Sequence, residues 1–328
     1  MSVPVRRRIT AALLMLPLAR STLSFAAADP LHLLVGYAAG GGADHVARLV
    51  ADSLTGDSEP TIVENRPGAA GQIAMHEAAR ASAERPTLLL GTVGSISIGP
   101  LLASSPEMPV RPLQPLAIVA STPHVLLVAG DGTRTGAIDA REALLQRLAQ
   151  ARRRPGEIAY ASLGIHSSAH LVGELMCRRA GVTMTHIPYP GSARALVDLQ
   201  GGHVMLLVST LQAALPLMRQ GRVRALAVTG RSRSVLAPTV PTFAEAGIQG
   251  MWQDAWYGVL AASSMSASRQ SALSMRLARL LHDPSLRQRL AQDGAEPLSL
   301  TGQAAVDYLD RQREVWRQAI ASVADRLA

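Results

Sequence analysis

The residues best placed to do chemistry in this chain sit in four loops built of glycine and small hydroxyl residues. The first runs Gly36-Tyr37-Ala38-Ala39-Gly40-Gly41-Gly42-Ala43-Asp44 and the second Gly91-Thr92-Val93-Gly94-Ser95. The third is Ser162-Leu163-Gly164-Ile165-His166-Ser167-Ser168 and the fourth Tyr189-Pro190-Gly191-Ser192. Each follows an apolar run that reads as a strand. Such a loop presents bare backbone N–H groups at a helix N-terminus, where the macrodipole favours an anion. The donors are neutral: backbone N–H groups and the hydroxyls of Thr92, Ser95, Ser162, Ser167 and Ser192. Many neutral donors can hold a carboxylate without desolvating a second charge. One such loop would be read as turn chemistry; four after predicted strands read as a binding site.

Catalytic constellations are weaker. Gly40-Gly41-Gly42-Ala43-Asp44-His45 lacks the spacing of a dinucleotide fingerprint, and the chain has no lysine for a phosphate loop. Ser95-Ile96-Ser97-Ile98-Gly99 misses the first glycine of a nucleophile elbow. His166 and His170 are four apart and could share a helix face as metal ligands. Only Glu174, one turn on, offers a further ligand, so capping or packing is expected of both. Asp44 is expected to cap or brace its helix, and the lone Cys177, on an apolar-patterned helix, to be a small core residue. The chemistry reads as binding, with no cofactor and no metal.

The elements that must position these loops alternate strand and helix, which predicts a parallel, doubly wound sheet with ligands at the carboxyl ends of its strands. Strands are predicted at 31–35, 61–63, 88–90, 116–119, 125–128, 158–161, 183–187, 203–208, 223–229 and 256–260, with a turn at Gly130-Asp131-Gly132. Helices are predicted from Val46, over 73–81, and from Asp139, where Glu142 is placed for a capping box. Others run from the third loop to Gly181, over 193–199, and briefly over 240–247. The last third is helical, at 273–281, 284–292 and 304–327.

Composition sets the class. At 328 residues, with 48% hydrophobic and 17% charged side chains, the chain is long enough for two globular domains. Arg6-Arg7-Arg8, the apolar run to Leu18 and Ala26-Ala27-Ala28 read as a secretory signal over residues 1–28, which directs the chain to the periplasm. No later segment offers the ~18 uninterrupted apolar residues of a membrane span. Without the leader's four arginines the balance is 28 basic residues against 24 acidic, +4. The arginines are scattered and the aromatics few, so a nucleic-acid partner is not expected.

Taken together the motifs resemble the receptors of tripartite tricarboxylate transporters, the Bug family. The resemblance runs through Gly36 to Asp44, Val63-Glu64-Asn65-Arg66-Pro67-Gly68-Ala69-Ala70-Gly71 and Leu90-Gly91-Thr92. It continues in Tyr160-Ala161-Ser162, Ser167 to Glu174, His186-Ile187-Pro188-Tyr189-Pro190-Gly191-Ser192-Ala193 and Leu226-Ala227-Val228-Thr229. Val240 to Gly247, Trp256-Tyr257-Gly258 and Gly294-Ala295-Glu296-Pro297 complete it. It implies an α/β fold of the type II periplasmic-binding-protein kind, each lobe a doubly wound sheet flanked by helices, joined by two crossover strands near Pro123 to Val128 and Ala225 to Gly230. The implied lobes are 29–123 with 230–328, and 124–229. The implied function is capture of a small carboxylate between the lobes by a monomer, and its presentation to integral membrane transporter subunits. The ligand-binding residues are expected to be Tyr37, Ala38, Gly42, Thr92, Ser95, Ser162, Gly164, His166, Ser167, Ser168, Ser192 and Ser209. A periplasmic sensor and an exported α/β enzyme are the alternatives.

Several positions depart from the family pattern. Gly36-Tyr37 stands for Pro-Phe, Ala43 for Thr or Ser, and Gly99 and Ala159 each for Asn. His166 replaces a small residue. Met205-Leu206-Leu207-Val208-Ser209 stands for Asp-Leu-Met-Phe-Asp, which removes a partner for a ligand ammonium group and points to an acid without an amino group.

Overall fold

The computed structural model describes residues 29–55, 59–102, 113–130 and 139–327; the expected leader lies outside them, as do Asp131 and Gly132 of the expected turn. The elements in order are β1 (Leu31–Val35), α1 (Gly42–Leu54), β2 (Thr61–Asn65), α2 (Gln72–Ala79), β3 (Thr87–Thr92), a π-helical turn at Val93–Ile98, α3 (Gly99–Leu102), β4 (Gln114–Thr122) and β5 (His124–Ala129). Then come α4 (Ala140–Arg153), β6 (Ala159–Ser162), α5 (Ser168–Ala180), β7 (Thr185–Pro188), α6 (Ser192–Gln200), β8 (Leu206–Thr210), α7 (Leu211–Arg219) and β9 (Val223–Val228). β10 (Ala255–Ala261), α8 (Ala267–Leu281), α9 (Pro284–Gln292), β11 (Glu296–Thr301) and α10 (Gln303–Val323) complete the chain.

The strands form two sheets, one of six in the order β11-β4-β10-β3-β1-β2 and one of five in the order β7-β6-β8-β5-β9. β1, β2 and β3 run parallel, as do β6, β7 and β8. The sheets are nonetheless mixed. β4 leaves the first sheet and, after Pro123 alone, becomes β5 of the second, where it lies antiparallel to β8 and β9. β10, returning to the first sheet, lies antiparallel to both β3 and β4. A strand that crosses between sheets enters against the run set by its βαβ neighbours, which a count of alternating elements does not reveal.

Both sheets are covered by helices. Val46, Leu49, Val50 and Leu54 of α1 are buried with Leu273, Leu277 and Leu281 of α8 and with Leu31, Leu33 and Val35 of β1. Leu196 and Leu199 of α6 pack with Leu211 and Leu215 of α7 on Val125 and Leu127 of β5. A third cluster spans the two sheets: Ile118 of β4, Leu126 of β5, Leu171 and Leu175 of α5, and Trp316 of α10. The C-terminal helix therefore ties both halves together; Arg178 pairs with Asp325 at 2.7 Å beside it.

Some expectations need correction. Residues 231–254, counted with the first lobe from the sequence, touch both sheets: Val228 N–H donates to Pro241 O and Phe243 N–H to Val228 O, and Ala237 and Val240 pack against β9, while Phe243 and Met251 share a cluster with Ile118 of β4 and Trp316 of α10. Within this stretch Val240 to Gly247 forms one capped turn instead of a helix, Thr242 and Glu245 exchanging side-chain and backbone bonds at 2.7 and 3.0 Å. The Asp139–Glu142 capping box does not form; Glu142 accepts instead from Gln146. Three of the labelled elements had no sequence expectation: the short α3, α7 and β11. α7 carries Pro216 in its interior, which interrupts the helical pattern. β11 carries Pro297, tolerated because β11 is an edge strand.

Candidate functional site

The glycine loop after β1 is shaped by close backbone approaches. A Cβ on Gly36 would lie 2.4 Å from Gly71 Cα, and one on Gly42 would lie 2.1 Å from the Gln212 side-chain oxygen. At Gly36 the opposing atoms are backbone, so only glycine lets the loop lie under the 68–71 turn; at Gly42 the opposing atom is the end of the Gln212 side chain of α7, from the other half. Asp44 braces the loop as expected: it accepts from Gly40 N–H, Asn65 Nδ2 and the Arg48 guanidinium at 2.9–3.0 Å. Burial raises its pKa, but the Arg48, Gly40 and Asn65 hydrogen bonds outweigh it, and the carboxyl lies below its ordinary value. Asp44 is a fixed anion with its oxygens occupied, unsuited to work as a base.

Between the two halves lies a narrow cavity, open to solvent at its mouth. All four sequence-predicted loops reach it: Tyr37, Gly41, Gly42 and Ala43 from the first, Thr92 and Val93 from the second, Leu163 and Ser168 from the third, and Ser192 from the fourth. Thr210, Ala255, Trp256 and Tyr257 complete the wall. Among these residues none carries a formal charge.

What they share is helix N-termini. Gly42 begins α1, Ser168 begins α5, Ser192 begins α6, and Thr210 caps α7. Neither α1 nor α6 has a side-chain cap, since Gly41 and Gly191 occupy the N-cap positions. The first N–H groups of a helix have no intrahelical acceptor, and each N-terminus bears about half a positive charge. Four such ends around an uncharged cavity make a positive potential without a cation.

The hydroxyls divide by what they already bind. Ser192 Oγ accepts from Gly42 N–H across the two halves at 3.2 Å, so its proton is free for the cavity. Thr210 Oγ1 accepts from Ala213 N–H at 3.3 Å, and its side chain also hydrogen-bonds the Tyr257 hydroxyl. Burial raises the Tyr37 phenol to about 12, its hydrogen bond with Thr92 offsetting part of the rise, and burial raises Tyr257 as well. Both phenols therefore stay protonated near neutral pH.

Of the twelve residues singled out from the sequence, Tyr37, Gly42, Thr92, Ser168 and Ser192 line this cavity. Ala38 instead bridges the halves, its N–H donating to Pro190 O at 3.4 Å. Gly164 lines a neighbouring groove on the far side of Tyr37, which also contains Tyr189 and Pro190. Ser95 is a structural cap: its Oγ accepts from Thr92 N–H and donates to Thr92 O. Ser162 is paired with His186 at 2.6 Å, and Ser167 caps α5 by accepting from His170 N–H. Ser209 is fully buried with its hydroxyl unpartnered, and does not line the cavity. His166 adopts a left-handed backbone (φ 62°) and donates its N–H to His170 Nδ1. His170 in turn stacks on His186 at 3.9 Å, and burial lowers the pair to about 3 and about 4, so they pack as neutral rings. Cys177 is fully buried and its thiol is raised to about 12 by desolvation and by Glu174, which fits a core residue.

Thr210 and Tyr257 carry the lining hydroxyls that the sequence did not single out. Thr210 had a usable signal, a hydroxyl at the end of an apolar run, hidden because α7 behind it went unrecognised. Tyr257 belonged to a quoted motif but sits on a strand, where no loop drew attention to it.

Comparison with known proteins follows the same lines. Residues 46–324 match the profile of the family described as "Tripartite tricarboxylate transporter family receptor". The chain is 31% identical over 303 residues to Protein BugT of Bordetella pertussis, covering 92% of this chain and 91% of that protein. Among solved structures it is similar to R. palustris Rpa4515 with adipate, at 29% identity and TM-score 0.82, covering 90% of this chain and 98% of the other. MatC from Rhodopseudomonas palustris with bound malate is similar at 26% identity and TM-score 0.77, covering 89% and 99%.

Proposed function

We propose that this chain, which belongs to the tripartite tricarboxylate transporter receptor family and so to a family of receptors and not of enzymes, captures a small organic carboxylate between its lobes in the periplasm and hands it to the membrane subunits of a tripartite transporter. The observation that carries the reading is the convergence of four helix N-termini on a cavity walled without a single charged residue. A cation would find no counter-charge there, and a neutral ligand would leave the positive helix ends, α1 and α6 without a side-chain cap among them, with no anion to balance them. Adipate and malate, the acids held by two structural neighbours, are of the matching class.

The lobes would hinge where β4 passes into β5 at Pro123 and where the chain returns into β10 at Ala255. Closure brings Gly42 to Ser192 and Ala38 to Pro190, contacts that no single lobe can make. A ligand bridging the two walls stabilises the closed form by its differential affinity for it, and the closed shape is what a membrane partner would recognise. Among the described residues no helix is long and apolar enough to cross a membrane.

A thermal-shift screen of the purified protein against mono-, di- and tricarboxylates tests the proposal. An acid present at 100 times its Kd should add about 2.7 kcal/mol of stability. Acidic amino acids should stabilise less than their deaminated analogues, because no cavity residue offers a carboxylate to an ammonium group. Stabilisation by no carboxylate, or recovery of a bound acid in chemically altered form, overturns the reading.

A further inference from the structure

Ser168 stands apart from the other cavity hydroxyls because of what lies behind it. Its Oγ is 2.9 Å from Nε2 of His124, the first residue of β5 and part of the crossover between the sheets. The opposite ring nitrogen, Nδ1, is 2.9 Å from the carbonyl oxygen of Gln253, on the segment that returns to the first sheet. His124 is completely buried, with its ring edge-on to Trp316 at 6.3 Å. Burial lowers it to about 4, the bond to Gln253 only partly opposing, so the ring is neutral and carries one proton.

The position of that proton follows from its neighbours. A carbonyl oxygen can only accept, so Nδ1 must be the N–H that donates to Gln253. Nε2 is then a bare lone pair, and the only hydrogen available for the 2.9 Å contact is that of Ser168. Ser168 therefore spends its proton inward and turns only lone pairs toward the cavity it lines. Ser192 does the reverse, accepting Gly42 N–H behind it and keeping a proton for the cavity.

We infer that Ser168, its hydroxyl polarity fixed by His124, selects a carboxylic acid that also carries a hydroxyl group, the ligand's O–H donating to Ser168 Oγ while its carboxylate is held at the helix N-termini. This rests on the carboxylate-receptor reading and narrows its substrate class. A carboxylate oxygen placed against Ser168 would set lone pairs against lone pairs. An ammonium group could donate there but would be buried without a counter-charge, since no lining residue is acidic. A neutral hydroxyl satisfies the acceptor at no such penalty. Discrimination of this kind is effective because an acid without the hydroxyl leaves a buried acceptor unpaired.

The test is titration calorimetry of the mature protein with matched pairs: succinate and malate, glutarate and 2-hydroxyglutarate, butyrate and 3-hydroxybutyrate, phenylacetate and mandelate. The hydroxy acid should bind about tenfold more tightly or better in the pairs that bind. Ser168→Ala should bring that ratio close to one, and Ser168→Thr, which keeps the hydroxyl, should preserve it. Nitrogen NMR of the imidazoles should show His124 as the Nδ1–H tautomer. Equal or tighter binding of the plain acid in every pair, an undiminished ratio in Ser168→Ala, or an Nε2–H tautomer overturns the inference while leaving carboxylate binding intact. Failure of every acid to bind overturns the receptor reading, and this one with it.

Discussion

Lowering the pH from 7 to 5 should destabilise the ligand-free protein by roughly 2–3 kcal/mol, and the figure follows from two buried histidines and one partly buried carboxyl. His124 and His170 are 0% and 5% exposed, and burial lowers them from 6.5 to about 4 and about 3, with the neighbouring histidines adding to the effect on His170. In the unfolded chain both take up a proton below pH 6.5, whereas the folded rings do not until pH 4 or lower. A depressed histidine therefore gives stability that is fully present above pH 6.5 and is lost as pH falls. Over the 1.5 units from 6.5 to 5 each ring loses about 2 kcal/mol, about 4 kcal/mol for the pair. Asp254 acts in the opposite sense. Burial, partly countered by its Thr229 hydrogen bond, raises it from 3.8 to about 6. The folded carboxyl gains a proton between pH 7 and 5 that the unfolded one does not, which returns about 1.4 kcal/mol. His186 is only partly buried and adds to the loss by a solvent-screened amount. Equilibrium urea unfolding at the two pH values and constant ionic strength reads the difference, and Asp254→Asn should enlarge it toward 4 kcal/mol. Equal or greater stability at pH 5 would show that these histidines are charged in the folded state, and would refute the assignment of neutral, packed rings.

Two further outcomes separate structural from ligand-facing groups. Ser167→Ala removes the α5 cap and should lower the stability of the ligand-free protein by about 1 kcal/mol in urea unfolding, with little change in carboxylate affinity beyond that of stability itself. Gly42→Ala places a methyl group where the Gln212 oxygen now lies, so it should displace that side chain and hold the lobes apart. Carboxylate affinity measured by calorimetry should fall about tenfold or more while the ligand-free melting temperature moves little. An unchanged affinity would show that closure does not pass through the Gly42–Gln212 contact.

The sequence was most informative where one local rule decides the structure. β1 and α9 fall at the residues expected, Gly181 ends α5 in the left-handed conformation, and the four glycine-hydroxyl loops do meet at one cavity. It was least informative where the deciding partner is distant in the chain. Nothing local distinguishes Ser95, which turns back on Thr92, from Ser192, which reaches across to Gly42, 150 residues away. Ser162, Ser167 and Ser168 share one loop, yet one pairs with a histidine of the adjacent strand, one caps a helix and one lines the cavity. Strand direction was hidden for the same reason, since β5 and β10 take their sense from the crossing between sheets and not from their own residues.

That division bears on how the ligand is chosen. The loops that could be read from the sequence supply three of the four helix N-termini, those of α1, α5 and α6, a source of affinity for any small carboxylate. The groups that could not be read, Thr210 with Tyr257 and His124 behind Ser168, are set by contacts between distant segments. These contacts fix which hydroxyls donate and which accept, and it is that pattern of donors and acceptors, not the charge of the cavity, that can tell one acid from another. A homologue with the same four loops but an apolar side chain at position 124 would keep its affinity for carboxylates. Its Ser168 hydroxyl would regain a free proton, and the preference should then swing from hydroxy acids toward acids that present a second carboxylate oxygen. His124→Phe, if accommodated against Trp316, creates that case in this chain, and the matched-pair titration reads the swing directly; retention of the hydroxy-acid preference in that variant would show that His124 does not set it.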